Sequence, residues 1–266
     1  MVTGFDSPKV DTSRPHPARR YDYWLGGKDN FAVDRASARR IEEEFPQVVF
    51  GVRENRKFMR RAAAHLARNK GIRQFLDIGT GIPTSPNLHE VVQEISPECR
   101  IVCVDNDELV MVHNRALLVS SPRGVVQYIK GDLREPDTIL QSPVLRETLN
   151  FDEPIGLMLV AVLHFLTDDD DPYGCVGRLI EALPSGSFVV LSHVDESAAQ
   201  FNTDDAALSH GSFQARTAQE VTQFVERLKP VGPRLASVVE WFPEDEPKPE
   251  PFPEDACIYG AVARKA

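Results

Sequence analysis

What this 266-residue chain lacks narrows it first. No run of about 18 apolar residues occurs, so no membrane-spanning helix and no membrane partner are expected. The opening MVTGFDSPKV has no apolar core of the kind a secretion signal carries, and the expectation is a cytoplasmic protein. Cysteine is scarce. Cys99, Cys103, Cys175 and Cys257 form no C-x-x-C pair and share no ligand spacing with the histidines, which argues against a disulfide framework and a zinc site; no metal is expected. Internal repeats are absent too. The net charge of −10 makes a nucleic-acid partner unexpected for the chain as a whole. That figure hides a segregation: residues 1–70 hold 15 Lys and Arg against 9 Asp and Glu, and the remainder holds 15 against 31.

What is present divides the chain into three parts. Residues 1–17 contain Pro8, Pro15 and Pro17 among few apolar side chains and read as a mobile arm. Residues 18–70 read as a helical extension, with helices expected over 34–45 and from about 52 to 69, and Gly71 in the place of a left-handed C-terminal cap. In the second helix Arg53, Arg56, Lys57, Arg60 and Arg61 surround an apolar stripe of Phe58, Met59, Ala62, Ala63 and Leu66; a solvated face is the expectation, a phosphate-binding surface the alternative. From residue 71 the pattern changes. QFLDI, RIVCVD, VVQYIK, IGLMLVAVL and SFVVLSHV are continuous apolar runs separated by helix-length connections, which predicts an α/β fold with a doubly wound, mostly parallel sheet. Thr217 and Glu220 form a capping box for a helix over TAQEVTQFVERL, stopped by Pro230. LASVVEWF and ACIYGAVA, joined by the Pro- and Glu-rich 243–255 without a helix, are expected to be an antiparallel strand pair.

The strand ends carry the chemistry. FLDIGTGIP places Gly79 and Gly81 directly after a buried strand, where backbone can turn sharply and approach a ligand. Thr84, after Pro83, stands where a pyrophosphate-binding loop needs its third glycine, which disfavours a nicotinamide oxidoreductase. Asp77, two residues before the first glycine, suits a cationic group instead. Asp105 ends the second strand at the position that accepts ribose hydroxyls, with Asn106 beside it, and the third ends Gly131-Asp132-Leu133, where a carboxylate and the following amide could read an adenine. The ligand so described is an adenosine attached to something positive.

D-x-G-x-G at 77–81, the acid at Asp105 and G-D-L at 131–133 resemble, in order and spacing, the cofactor motifs of the class I S-adenosylmethionine-dependent methyltransferases. That resemblance covers roughly residues 70–265 and implies a Rossmann-like seven-stranded sheet ending in an antiparallel hairpin, with S-adenosylmethionine as cofactor. Pro83 stands where many members carry a small residue. More narrowly, RPHPARRYDYWLGGKDNFAVDR with LDIGTGIPTSPNLHEV is similar to an actinobacterial S-adenosyl methyltransferase family of unknown substrate, and this likeness spans nearly the whole chain. It implies the cofactor and a methyltransferase domain over 71–266, and it names no acceptor.

Transfer from an activated sulfonium requires chiefly that the acceptor be held in line and water excluded; a hydroxyl or ammonium acceptor also needs a base. The fourth strand ends AVLHFLTDDDDP, which makes His164 the candidate base and Phe165 its neighbour in an acceptor pocket, unless His164 only packs under the adenosine. His193 and Asp195 end the fifth strand and either line that pocket or form a turn, while Asp168 to Asp171 read as helix capping on a solvated surface. YDYWLGGKDNF at 21–31 fits neither a helical nor a strand period. It is either a lid, with Tyr21, Tyr23 and Trp24 offering ring faces, Gly26 and Gly27 approaching the ligand and Lys28 reaching a carboxylate, or an anchor for the N-terminal helices. The expectation is a methyltransferase acting on oxygen or nitrogen of a small molecule; a cofactor-binding regulator without turnover and a nucleic-acid methyltransferase are the alternatives.

Overall fold

The computed structural model describes residues 12–117, 119–201, 213–243 and 256–266. Helices α1 (Pro17–Trp24), α2 (Ala32–Glu44) and α3 (Val48–Asn69) precede the sheet. Pro17 opens α1 with its φ already helical, and the His16 ring accepts from the Ala18 amide. Helix therefore covers Tyr21–Trp24, where the aromatic-rich stretch suggested none, because the period that organises α1 is set by what it docks on. Of the proposed arm, residues 1–11 lie outside the described residues.

Strands β1 (Gln74–Ile78), β2 (Arg100–Asp105), β3 (Val125–Lys130), β4 (Gly156–Val160) and β5 (Phe188–Val194) run parallel in the order β3-β2-β1-β4-β5. Helices α4 (Leu88–Ile95), α5 (Glu108–Leu117), α6 (Pro136–Leu140), α7 (Pro143–Thr148) and α8 (Pro172–Ala182) connect them. The continuous apolar runs are explained by the two faces they serve. On β1, Phe75 packs with Phe58, Ala62 and Leu66 of α3, whereas its neighbour Leu76 packs on the opposite side with the residues of α6 to α8.

After β5 come α9 (Ala218–Gln223) and the short strands β6 (Lys229–Pro230) and β7 (Ala236–Ser237), then β8 (Ile258–Arg264), which runs antiparallel to β5 over seven residue pairs. The C-terminal antiparallel strands are thus present in a sheet that has eight strands among the described residues, with differences of extent. The Thr217–Glu220 capping box starts α9 as expected, but the helix ends at Gln223, and Pro230 sits in a strand rather than stopping a helix. LASVVEWF pairs with β8 only at Ala236 and Ser237. Beyond them the chain turns inward because Trp241, fully buried, sets its ring edge-on to Phe58 at 5.3 Å and donates from Nε1 to the Val231 carbonyl.

Candidate functional site

The strand order reverses between β1 and β4, and a cavity of about 390 Å³ opens at their carboxyl ends. β1 runs into it at Asp77. Gly79 then adopts φ +76°, and a Cβ there would lie 2.5 Å from Val162 Cγ2, so only glycine fits this turn. The Gly79 and Thr80 amides donate to the Val104 carbonyl, which carries the loop across the top of β2. There Asp105 closes it: one carboxylate oxygen accepts from the Gly81 amide at 2.9 Å, the other from the Asp107 amide at 3.0 Å. Burial pushes Asp105 up to about 6 against those amides, and pushes Asp77 up to about 7 against the attraction of Arg56. Asp132 goes the other way. Burial works to raise it, but the Arg134 amide, the Asn106 side chain at 3.0 Å and the Arg134 guanidinium outweigh that and hold it below the usual carboxylate range. Asp77, Gly79, Gly81, Asp105, Asn106, Asp132 and Leu133 all line the one cavity.

The roof is α1 with the start of α3. Asp34, fully buried, accepts from the His16 amide, Arg19 Nε and the Phe31 amide at 2.8 to 3.0 Å, while His16 Nδ1 lies 3.0 Å from Asp107, beside the Asp105 turn, and donates to it when protonated in place of accepting from Ala18. Tyr21 and Trp24, one helical turn apart, reach the cavity; Tyr23, on another face of α1, does not line it. Tyr21 donates to the Val52 carbonyl and accepts from Asn55, and Trp24 Nε1 donates to Glu42 at 2.9 Å. The glycine pair needs correcting. Gly26 and Gly27 do not line the cavity: a Cβ on Gly27 would lie 1.8 Å from Asp22 Oδ1, so the turn wraps the Asp22 carboxylate, which accepts from the Asp29 amide and Asn30. Lys28 is exposed beyond it and lines nothing here.

The guanidinium groups on the described cavity wall are instead Arg20, Arg56 and Arg134, the last already paired with Asp132 and Asp170. Arg20, 5 % exposed, donates to Ser37 at 3.2 Å, and burial lowers it to about 10 despite Asp34. Arg56 clamps the 84–87 loop, donating to the carbonyls of Thr84 and Pro86 and to Asn87, while its Nε is buried without a hydrogen-bond partner. The basic face of α3 is therefore not simply solvated. Arg60 also donates to the Pro86 carbonyl, and Arg61 to that of Val238, because α3 packs against both segments. Sequence pattern could not separate Arg56 from its basic neighbours.

Away from the carboxylates the wall turns apolar. Ile41, Phe45, Val48, Val194, Phe213 and Cys257 belong to a small separate hydrophobic cluster that lines this end. His164 and Phe165 sit at its border, in a one-turn 3-10 helix (Leu163–Phe165) after β4, with their rings 4.4 Å apart and the Phe213 ring 5.5 Å from His164. The imidazole is 6 % exposed, and its Nδ1 has no partner. Burial first, then His193 and Arg216, push it well below the usual histidine range, so it is neutral at pH 7.

His193 does not line the cavity. It is fully buried behind His164, its Nδ1 2.6 Å from the Val194 carbonyl and its Nε2 3.1 Å from Arg216 Nη1. Arg216 can only donate, so Nε2 accepts and the proton stays on Nδ1; burial, opposed by the Val194 carbonyl, takes His193 to about 3. Asp195 forms the turn reading rather than a wall, accepting from the Ser197 amide. Arg216 itself was not singled out by sequence, which offers no signal for it. Fully buried, it donates to the Leu163 and Leu166 carbonyls and to Asp168. The Asp168 to Asp171 run is thus only partly capping: Asp171 caps α8, whereas Asp168 pairs with Arg216 and Asp170 with Arg134.

A family model described as S-adenosyl methyltransferase matches residues 4–266. No curated protein matches the sequence. Among solved structures, a DUF574 family protein of Streptomyces avermitilis is 42% identical over 97% of this chain and 100% of its own, with a TM-score of 0.88. A candidate methyltransferase of Thermobifida fusca is 34% identical over 99% of each chain, with a TM-score of 0.85. Human N-acetylserotonin methyltransferase in complex with S-adenosylmethionine is 16% identical over 95% of this chain and 63% of its own, at a TM-score of 0.50, a likeness of fold.

Proposed function

The chain belongs to the S-adenosyl methyltransferase family, and on that premise we propose that it moves the methyl group of S-adenosylmethionine to an oxygen or nitrogen of a small molecule. The observation that carries this is the meeting of Asp77, Asp105 and Asp132 on one cavity wall, under a roof that adds a guanidinium with an unpartnered buried nitrogen. These groups fit the cofactor part by part. Asp105 would accept from the ribose hydroxyls, Asp132 from the adenine amino group, and the Leu133 amide would donate to a ring nitrogen. Asp77 would meet the ammonium of the amino-acid end and Arg56, close enough to Asp77 to influence its charge, the carboxylate. Arg56 here takes the role first given to Lys28.

When bound, the cofactor supplies a methyl group already activated on a positive sulfur. The chain's own part is to bind, orient and exclude water, which α1 and α3 do by covering the crevice. The basic face of α3 spends Arg56, Arg60 and Arg61 on internal carbonyls, which speaks for a small acceptor rather than a nucleic acid. The domain boundaries at 17 and 70, with the N-terminal part as a lid, belong to the same proposal; the Asp34 and His16 contacts favour the anchor for α1 at rest.

The test is calorimetric titration with S-adenosylhomocysteine and with methylthioadenosine, which lacks the amino-acid end. The Arg56→Met variant should bind S-adenosylhomocysteine about tenfold more weakly, the worth of a charge-assisted hydrogen bond, and methylthioadenosine as before. Equal losses for both would remove Arg56 from the carboxylate. A wild-type protein that binds NAD and neither thioether would sink the whole reading.

The raised carboxylates set a pH dependence. Asp77 and Asp105 ionise in the folded protein at about 7 and about 6, above their unfolded value of 3.8. The folded state therefore holds more protons between these limits, and the ligand-free protein loses stability as pH rises from about 4 to about 7. Binding the ligand's ammonium reverses this at Asp77, since it needs the ionised form. Affinity for S-adenosylmethionine should rise between pH 5.5 and 7.5 by about tenfold, one pKa unit of linkage, and Asp77→Asn should flatten the rise; a pH-independent affinity in the wild type would contradict the charge assignment.

A further inference from the structure

We propose that the acceptor is a planar aromatic compound bearing a hydroxyl group, held in the apolar end of the cavity against Phe165 and Phe213 with its hydroxyl donating to the imidazole of His164. The inference rests on the methyl-transfer reading above and narrows it from any oxygen or nitrogen acceptor to one class.

Three observations converge on that class. The first is shape and polarity. Beyond the strand-end carboxylates the described wall is built from Ile41, Phe45, Val48, Phe213 and Cys257, a cluster that joins neither of the two large cores and whose members face the cavity. An apolar chamber that holds its own small cluster open suits an apolar ligand. With His164, Phe165 and Phe213 set at 58° to 64° to one another, ring faces and edges are both presented, the arrangement an aromatic guest can join by offset or edge contacts.

The second is the imidazole that borders that end. His164 lines the cavity with a neutral ring whose Nδ1 is buried and makes no hydrogen bond, so a small shift of the ring toward a ligand hydroxyl would satisfy it. The other ionisable groups on the wall have partners elsewhere or stand at the cofactor end. Asp105 and Asp132 hold loop amides, Arg134 pairs with Asp132 and Asp170, His16 lies against Asp107, Arg20 donates to Ser37, and Arg56 and Asp77 attract each other at the proposed cofactor end. No carboxylate-binding cation and no ammonium-binding anion faces His164 among the described residues.

The third is the charge behind the imidazole. Arg216 is a fully buried cation one residue contact away, through His193, and it adds to the burial that keeps both rings neutral. Its partner Asp168 is largely exposed while the guanidinium is fully buried, so the positive charge still reaches His164, disfavours a substrate ammonium and favours an oxygen that gives up its proton. A phenolic hydroxyl meets this requirement and an aliphatic amine does not. In the reaction the acceptor oxygen bonds to the methyl carbon as the carbon–sulfur bond breaks, the sulfur keeping that electron pair as a neutral thioether. The hydroxyl hydrogen-bonds to the neutral His164 and its proton leaves to water as the oxygen–carbon bond forms.

The experiment uses the full chain and four probes that share one ring system: naphthol, naphthoate, naphthylmethylamine and naphthalene. Each is titrated calorimetrically into protein saturated with S-adenosylhomocysteine, whose own binding is measured first. Naphthol should bind about tenfold more tightly than the other three, the gain from one satisfied buried hydrogen bond. With S-adenosylmethionine present, mass spectrometry should find the methyl naphthyl ether and an equal amount of S-adenosylhomocysteine. His164→Phe should bring naphthol down to the affinity of naphthalene, and Phe213→Leu should weaken all four aromatics alike. Preference for naphthoate or naphthylmethylamine overturns the proposal, as does naphthol preference that survives His164→Phe, or a protein that binds S-adenosylhomocysteine and none of the four. Failure to bind S-adenosylhomocysteine overturns the methyl-transfer reading instead.

Discussion

Asp105→Ala should weaken S-adenosylhomocysteine binding by about 100-fold or more, two charge-assisted hydrogen bonds at about 1.5 to 3 kcal/mol each. The carboxylate has two tasks. It accepts from the Gly81 and Asp107 amides, which shapes both loops, and it is the acceptor proposed for the ribose hydroxyls. Its removal therefore costs the contact and the order of the site together. The ligand-free fold should lose only part of the cost of leaving the Gly81 and Asp107 amides without their acceptor, because the alanine variant is also relieved of a carboxylate whose ionised form burial disfavours. The two effects separate experimentally: a calorimetric titration reports the affinity and a thermal melt the fold. A loss under about fivefold, with the melt unchanged, would deny Asp105 the ribose role.

Arg216→Met is expected to have the largest effect on stability. Methionine fills much of the volume but leaves the Leu163 and Leu166 carbonyls and His193 Nε2 without their donor. Unsatisfied buried groups cost about 1 to 3 kcal/mol each, so a total of about 3 kcal/mol follows, and a chain of this size should melt on the order of 10 °C lower. Arg216→Lys should recover little, since one ammonium cannot span two carbonyls, an imidazole and Asp168 as the planar fork does. A second readout separates electrostatics from packing. Removing the cation should raise the titration midpoint of His164, followed by the ring-proton resonances, because Arg216 is among the groups that lower it. A melt within about 3 °C of wild type would mean that water replaces the guanidinium.

Legibility in the sequence followed the range of the interaction. Asp77, Gly79, Gly81, Asp105, Asp132 and Leu133 were legible because each sits at a strand end, and in a doubly wound sheet strand ends meet at one edge. The Thr217 capping box was legible for the same local reason. Trp24 and Tyr21 were found, yet Tyr23, Gly26, Gly27 and Lys28 were grouped with them although α1 and the Asp22 turn send them elsewhere. Arg56 and Arg216 carried no distinguishing pattern, since what marks each is the company it keeps across 28 to 53 residues of chain.

The sequence by itself determined the alternation of apolar runs and helices, the parallel sheet, the three carboxylates at its edge and hence the kind of ligand that edge can hold. These depend on contacts within a strand and its following turn, where residue type dictates backbone. Only the tertiary structure decided which basic side chains enter the cavity, that His193 stands behind His164 instead of beside it, and that a buried guanidinium lies behind both. Such choices are made by packing between distant segments, where burial rather than residue type assigns each polar group its partner.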